Sequence, residues 1–176
     1  INNSIDRTMN KVFYGLIFCL LFSVSAGKAQ NETYFAAYPS LSPDGKTVVF
    51  SFEGDIWQMP SAGGDASRIT AMPGDEINPK ISPDGKWLAF SSNQFGNYDV
   101  YLMPMQGGAV KQLTFNDASD EVDNWSWDSK SIYFTSGRYN MYSAYKVSVN
   151  GGTAARLFDN YFNTVHNVAV SPNGEL

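Results

Sequence analysis

An all-β fold assembled from repeated four-stranded units is what this sequence predicts, and three observations predict it. The pentapeptide SPDGK at residues 42–46 returns at 82–86, then as SWDSK at 126–130 and SPNGE at 171–175. Landmarks inside the copies keep constant distances from one another. The runs between the turns are rich in aromatic and β-branched residues, and no stretch after residue 30 carries a helical period.

The register of the repeat is tight. Ser42, Ser82, Ser126 and Ser171 are spaced 40, 44 and 45 residues apart. Each of the first three is followed eight residues later by an aromatic residue: Phe50, Phe90 and Phe134. A second aromatic precedes a Gly-Gly pair by six residues (Trp57 to Gly63, Tyr101 to Gly107, Tyr145 to Gly151), and an apolar residue follows six later at Ile69, Leu113 and Leu157. Only two segments change length. Phe50 to Trp57 is seven residues where the later copies have eleven, and the link to the next Ser grows from thirteen to fourteen in the last copy. In the second copy the four runs are 78–82, 87–92, 99–104 and 109–114. Four strands per period of this length form the blade of a β-propeller. The constant internal register argues against a sandwich or barrel. The expected fold is therefore a β-propeller with four-stranded blades: three blades and the first strand of a fourth, with repeats at about 38–76, 77–121, 122–164 and 165–176. A propeller cut at that point leaves open edges, and the segment is expected to be poorly soluble alone.

The amino terminus reads differently. Residues 1–8 precede Met9 and read as upstream translation; residues 9–29 read as a signal peptide. The uncharged run from Val12 to Ala26 follows Lys11 and ends in small residues. It is short for a membrane span, which needs about 20 residues, although an anchor helix is the alternative. Cleavage is expected after Ala29 or Ala26. Phe18 before Cys19 does not suit a lipoprotein signal. The expected location is periplasmic or secreted, with no membrane association once the signal is removed. Residues 1–29 hold Asp6, Arg7, Lys11 and Lys28, so the remainder carries 16 acidic and 9 basic residues and no cysteine. An acidic chain without a basic cluster does not suit nucleic acid, and the absence of cysteine suits an oxidising compartment. With 43% apolar and 15% aromatic residues, the chain has the material for a packed core.

SPDGK itself reads as a turn joining the first and second strands. Pro presets φ at the second position, Asp tolerates the third, and Gly takes the positive φ that follows, giving a type I turn closed by a Gly bulge. One carboxylate per turn is too few for calcium, which takes about six to eight oxygens. Ser129 replaces that Gly in the third copy. The Gly-Gly pairs are expected to turn the chain between the third and fourth strands.

The strings YPSLSPDGKTVVFSFEGDIWQMPSAGG and NPKISPDGKWLAFSSNQFGNYDVYLMPMQGG resemble the amino-terminal propeller repeats of tricorn-like peptidases. These repeats are shared with TolB and, more loosely, with the propeller of the prolyl oligopeptidase family. The resemblance covers about residues 34–176. It implies a substrate-gating or protein-interaction propeller of a secreted serine peptidase, with spacer, PDZ-type and peptidase domains beyond it. Alternatives are a TolB-like protein-binding propeller without catalysis and the propeller of a prolyl-oligopeptidase-type hydrolase. No position here matches the family's catalytic residues, so no catalytic, cofactor or metal residue is carried over.

The remaining candidates for chemistry read as structural. His166 is the sole histidine, and no Gly-x-Ser-x-Gly elbow occurs. Asp117, Asp120, Glu121 and Asp123 crowd the stretch DASDEVD, read as a solvated inter-blade loop; Val122 stands where a calcium-binding loop needs Gly. Asp55, Asp99 and Ser143 share one position of the repeat, which suggests a structural hydrogen bond. All the length variation falls on the propeller face opposite the SPDGK turns. That face carries Phe95, Tyr98, Tyr139, Tyr142, Tyr161 and Phe162, the candidate binding face for a peptide or protein substrate or for downstream domains of the same protein.

Overall fold

The computed structural model describes residues 35–158 and 167–171. Twelve strands form three antiparallel four-stranded sheets among these residues. The first holds β1 (Ala37–Leu41), β2 (Thr47–Phe52), β3 (Asp55–Pro60) and β4 (Ser67–Arg68) in sequence order. The second holds β5 (Glu76–Ile81), β6 (Trp87–Ser92), β7 (Asp99–Pro104) and β8 (Lys111–Gln112). The third holds β9 (Asp120–Trp125), β10 (Ser131–Ser136), β11 (Ser143–Ser148) and β12 (Ala155–Arg156). Each sheet is a meander, and β5 packs against β1, β2 and β3 as β9 packs against β5, β6 and β7. The first strands thus succeed one another from sheet to sheet, which is the arrangement of propeller blades. The fourth strands keep only two residues each, shorter than the expected run 109–114. They lie at the outer edge, where a short strand limits pairing with other chains.

The repeated pentapeptide is the β1–β2 joint and its counterparts. The Ser42 N–H donates to the Thr47 carbonyl at 2.8 Å and the Gly45 N–H to the Ser42 carbonyl at 2.9 Å. Gly45 and Gly85 both sit at φ +72°, and Ser129 holds the same position at +58°. The structure also explains two residues that the turn type alone does not demand. Ser42 Oγ accepts from the Thr47 N–H and donates to Asp44 Oδ1, which accepts in turn from the Lys46 N–H. Ser82 with Asp84 and Ser126 with Asp128 repeat the pattern. The Ser hydroxyl, then the neighbouring backbone N–H, hold the Asp44 and Asp128 carboxyls below the usual range; the Ser82 hydroxyl is the main cause for Asp84.

The core lies between blades. Strand alternation gives the middle blade two buried faces. Leu88 and Phe90, with Tyr101 and Met103 opposite them, join Val49 and Ile56 of the first blade. Ala89, Val100 and Leu102 turn the other way and join Val122, Ile132 and Phe134 of the third. The cross-strand pairs Phe90–Tyr101 and Phe134–Tyr145 stack at 5.8 and 5.6 Å between ring centroids. The eleven-residue spacing shared by the second and third copies places these rings opposite one another. Trp125 ties the second joint by donating its indole N–H to the Lys80 carbonyl at 2.8 Å.

Candidate functional site

At the end opposite the SPDGK turns lie the second-to-third strand connections. The first is a two-residue hairpin, Glu53-Gly54, with φ of +52° and +82°, as a type I′ turn requires. The second runs through 93–98 and the third through 137–142. These longer connections carry the predicted aromatics. Phe95 is 73% exposed and Tyr98 is half-buried. Tyr139 lies under the Arg156 guanidinium, 3.6 Å from the ring centroid, so part of its surface serves its own blade. Tyr142 is 41% exposed and lines a cavity of about 410 Å³. Tyr161, Phe162 and His166 lie outside the described residues, as do residues 1–29.

The cavity brings Tyr142 together with Met141, Asn78, Thr135, Glu121 and Asp123, and not with Phe95 or Tyr139. Met141 is 72% exposed and Phe115, in the link between the second and third blades, 76%. Neither is singled out by the sequence reading, because aromatic landmarks set its register and Met or link residues carry no periodic signal.

The acidic stretch differs from its expected form. Asp120, Glu121 and Asp123 belong to strand β9, not to a solvated loop. Asp120 is fully buried and pairs with Arg138, whose guanidinium packs over the Phe134 and Tyr145 rings. Asp123 falls at the bulge of β9, where the ladder shifts between Tyr133 and Phe134. It accepts from the Thr135 hydroxyl at 2.8 Å and from the Val168 N–H. Burial pushes its carboxyl up to about 6 against those two hydrogen bonds. Among the described residues, no three His, Cys, Asp or Glu side chains converge as a metal site. The repeated polar position at the start of the third strand is structural, as expected. Asp55 accepts from Arg68, Asp99 from Thr114 and Gln112, and Ser143 donates to Asn140.

The cavity therefore offers amides, hydroxyls and two carboxylates beside exposed Met and Tyr, a lining that can accept hydrogen bonds and positive charge. Residues 33–176 match the description of the tricorn protease N-terminal beta propeller domain. A 54-residue stretch is 41% identical to tricorn protease homolog 1 of Streptomyces coelicolor, covering 31% of this chain and 5% of that protein. A 72-residue stretch is 36% identical to a tricorn-like protease N-terminal subunit of Sulfurisphaera tokodaii, covering 36% of this chain and 37% of the relative. Among solved structures, TolB from Acinetobacter baumannii superposes with a TM-score of 0.63 at 30% identity, over 78% of this chain and 35% of TolB. The chain thus spans well under half the length of each of these three relatives.

Proposed function

Because the chain belongs to the tricorn protease N-terminal β-propeller family, we propose that it forms part of the amino-terminal propeller of a secreted, tricorn-like serine peptidase. In this reading its long-connection face receives polypeptide on the way to a catalytic domain elsewhere in the protein. The observation that carries the reading is the exposure of Phe95, Met141 and Tyr142 on connections held by a rigid β scaffold, with a polar cavity beside Met141 and Tyr142. Exposed apolar groups gathered on one face mark a site of interaction with another chain. The signal-like residues 9–29 support secretion. A second reading is favoured by the likeness to TolB: the same face docks a folded protein partner and no hydrolysis follows.

The full-length protein tests both. Turnover of a long unfolded polypeptide and of a short chromogenic peptide is compared for wild type and for Phe95→Ala/Tyr142→Ala. Slower turnover of the long substrate alone, at unchanged melting temperature, is the expected result. Equal turnover of both substrates by the variant removes the gating role. An absence of any peptide hydrolysis in the wild type favours the docking reading instead.

A further inference from the structure

The two blade joints solve one electrostatic problem in different ways. At the second joint, Asp99 of β7 and Asp120 of β9 approach across the blades, and Arg138 supplies the counter-charge. At the first joint the equivalent residues, each forty-four positions earlier, are Asp55, Glu76 and Gln94. The backbone geometry is the same: the Glu76 N–H donates to the Gly54 carbonyl at 2.7 Å and the Asp120 N–H to the Tyr98 carbonyl at 2.7 Å. Both acidic side chains have no exposed surface. Among the described residues, however, no counter-charge meets Glu76. Gln94 directs its amide to the Tyr101 hydroxyl at 3.0 Å.

The surroundings of Glu76 are short of donors. Its Oε2 accepts from the Thr70 hydroxyl at 2.9 Å, and its Oε1 is buried with no partner. Thr114, the counterpart of Thr70, donates instead to Asp99 of its own blade. The charged groups facing Glu76 are Asp55 from β3 and Asp75 from the link before β5, both negative. Arg68 of β4 reaches Asp55 at 3.1 Å from a side chain that is half in solvent, and so offsets the Asp55 charge only in part. A proton on Glu76 removes a buried charge and gives the group a donor to the neighbouring Asp55 carboxylate.

We propose that the joint between the first and second blades is a proton-operated latch: Glu76 as the neutral acid holds it closed beside Asp55, and ionised Glu76 loosens it, whereas Arg138 keeps the next joint closed in either condition. Burial, then the Asp55 charge, holds the Glu76 carboxyl at about 7 against an ordinary 4.5. The folded value lies above the unfolded one. The latch is therefore tightest below pH 4.5, weakens as pH rises toward 7, and stays at its weakest above that.

Hydrogen exchange of the full-length protein, corrected for the intrinsic pH dependence of exchange, reads the latch at the Glu76 and Ile56 amides. In the wild type, the opening constant at these amides is expected to rise up to roughly tenfold per pH unit between about 5 and 7, then flatten. The Asp120 and Val100 amides of the second joint are expected to rise less steeply, through the raised carboxyls of Asp99 and Asp123 alone. Glu76→Gln mimics the neutral acid and is expected to abolish the rise. Gln94→Arg places a guanidinium where Arg138 stands in the next blade, and it is expected to flatten the profile without touching Glu76. Unchanged wild-type profiles in both variants overturn the proposal, as does an equal rise at both joints in the wild type.

Discussion

Ser129→Gly tests the energetics of the repeated turn most directly. Three turns share one geometry, and only the third asks a residue with a Cβ to adopt φ +58°. The left-handed region costs a residue other than Gly roughly 1 kcal/mol. The structure adds an opposing contribution, because Ser129 Oγ accepts the Asp84 N–H at 3.1 Å and so links the second and third turns. That bond is exposed and is worth about 0.5 kcal/mol. The net expectation is a gain of about 0.5 kcal/mol, or a rise of roughly 1–2 °C in melting for a cooperative unit of about 150–250 residues. Ser129→Asn tolerates the same φ and keeps an acceptor, so it is expected to match or exceed the Gly variant. Gly85→Ala supplies the reverse experiment. A Cβ there meets nothing within 4 Å, so its expected loss of about 1 kcal/mol comes from the backbone alone. Calorimetry of the full-length protein measures all three. A neutral Gly85→Ala together with a destabilised Ser129→Gly would refute the reasoning, since it would place the energy in the side-chain link and none in the left-handed turn.

Two further outcomes are expected. Gly74→Ala is the harsher Gly substitution, because its Cβ falls 2.3 Å from Asn93 Oδ1 and 3.1 Å from the Gln94 nitrogen at φ +91°. Asn93 cannot swing aside without releasing the Asp75 N–H that it binds at 2.7 Å, so a loss of about 2–3 kcal/mol is expected in urea unfolding. The turn aspartates Asp44, Asp84 and Asp128 contribute stability that is present above their ordinary value of 3.8 and is lost as pH falls through their lowered folded values. The triple Asp→Asn variant is therefore expected to melt below wild type at neutral pH and to converge with it in strong acid.

The parts of the fold legible in the sequence are those written locally. Turn chemistry needs only its own five residues, and the strand alternation needs only its own strand. Hence the β2, β3, β6 and β7 runs and the left-handed Ser129 follow from the repeat alone. What the sequence hides depends on a neighbour in the next blade. Asp120 looks like one carboxylate in a solvated acidic run, yet β9 begins there and Arg138, eighteen residues on, closes over it. Glu76 has no signal of burial in its own segment; the Gly54 carbonyl and Thr70 that enclose it belong to the blade before. The shortening of β8 is hidden too, since 109–114 has the composition of a full strand and the structure pairs only Lys111 and Gln112. The aromatic face was legible as a face because loop lengths are additive along the chain. The grouping of Tyr142 with Met141 and Asp123 was not, because it depends on how the β9 bulge aims a carboxylate.

The repeat also gives a reason to look where copies differ. Positions that recur with the same residue, such as the Ser-x-Asp pair of each turn, perform one local task three times. Positions that recur with different residues at identical backbone geometry carry what distinguishes one blade joint from the next. Asp55, Thr70, Glu76 and Gln94 at the first joint match Asp99, Thr114, Asp120 and Arg138 at the second in place and not in chemistry. Apolar contact across both joints is extensive and non-directional, so it sets the strength of blade packing without making the joints unlike. A buried carboxylate is different, because its cost depends on whether a partner is present. The difference between joints therefore concentrates in a few polar side chains near the long-connection face, the same end on which polypeptide is proposed to dock. A propeller whose joints respond unequally to pH can alter the spacing of that face while its turns and core stay fixed.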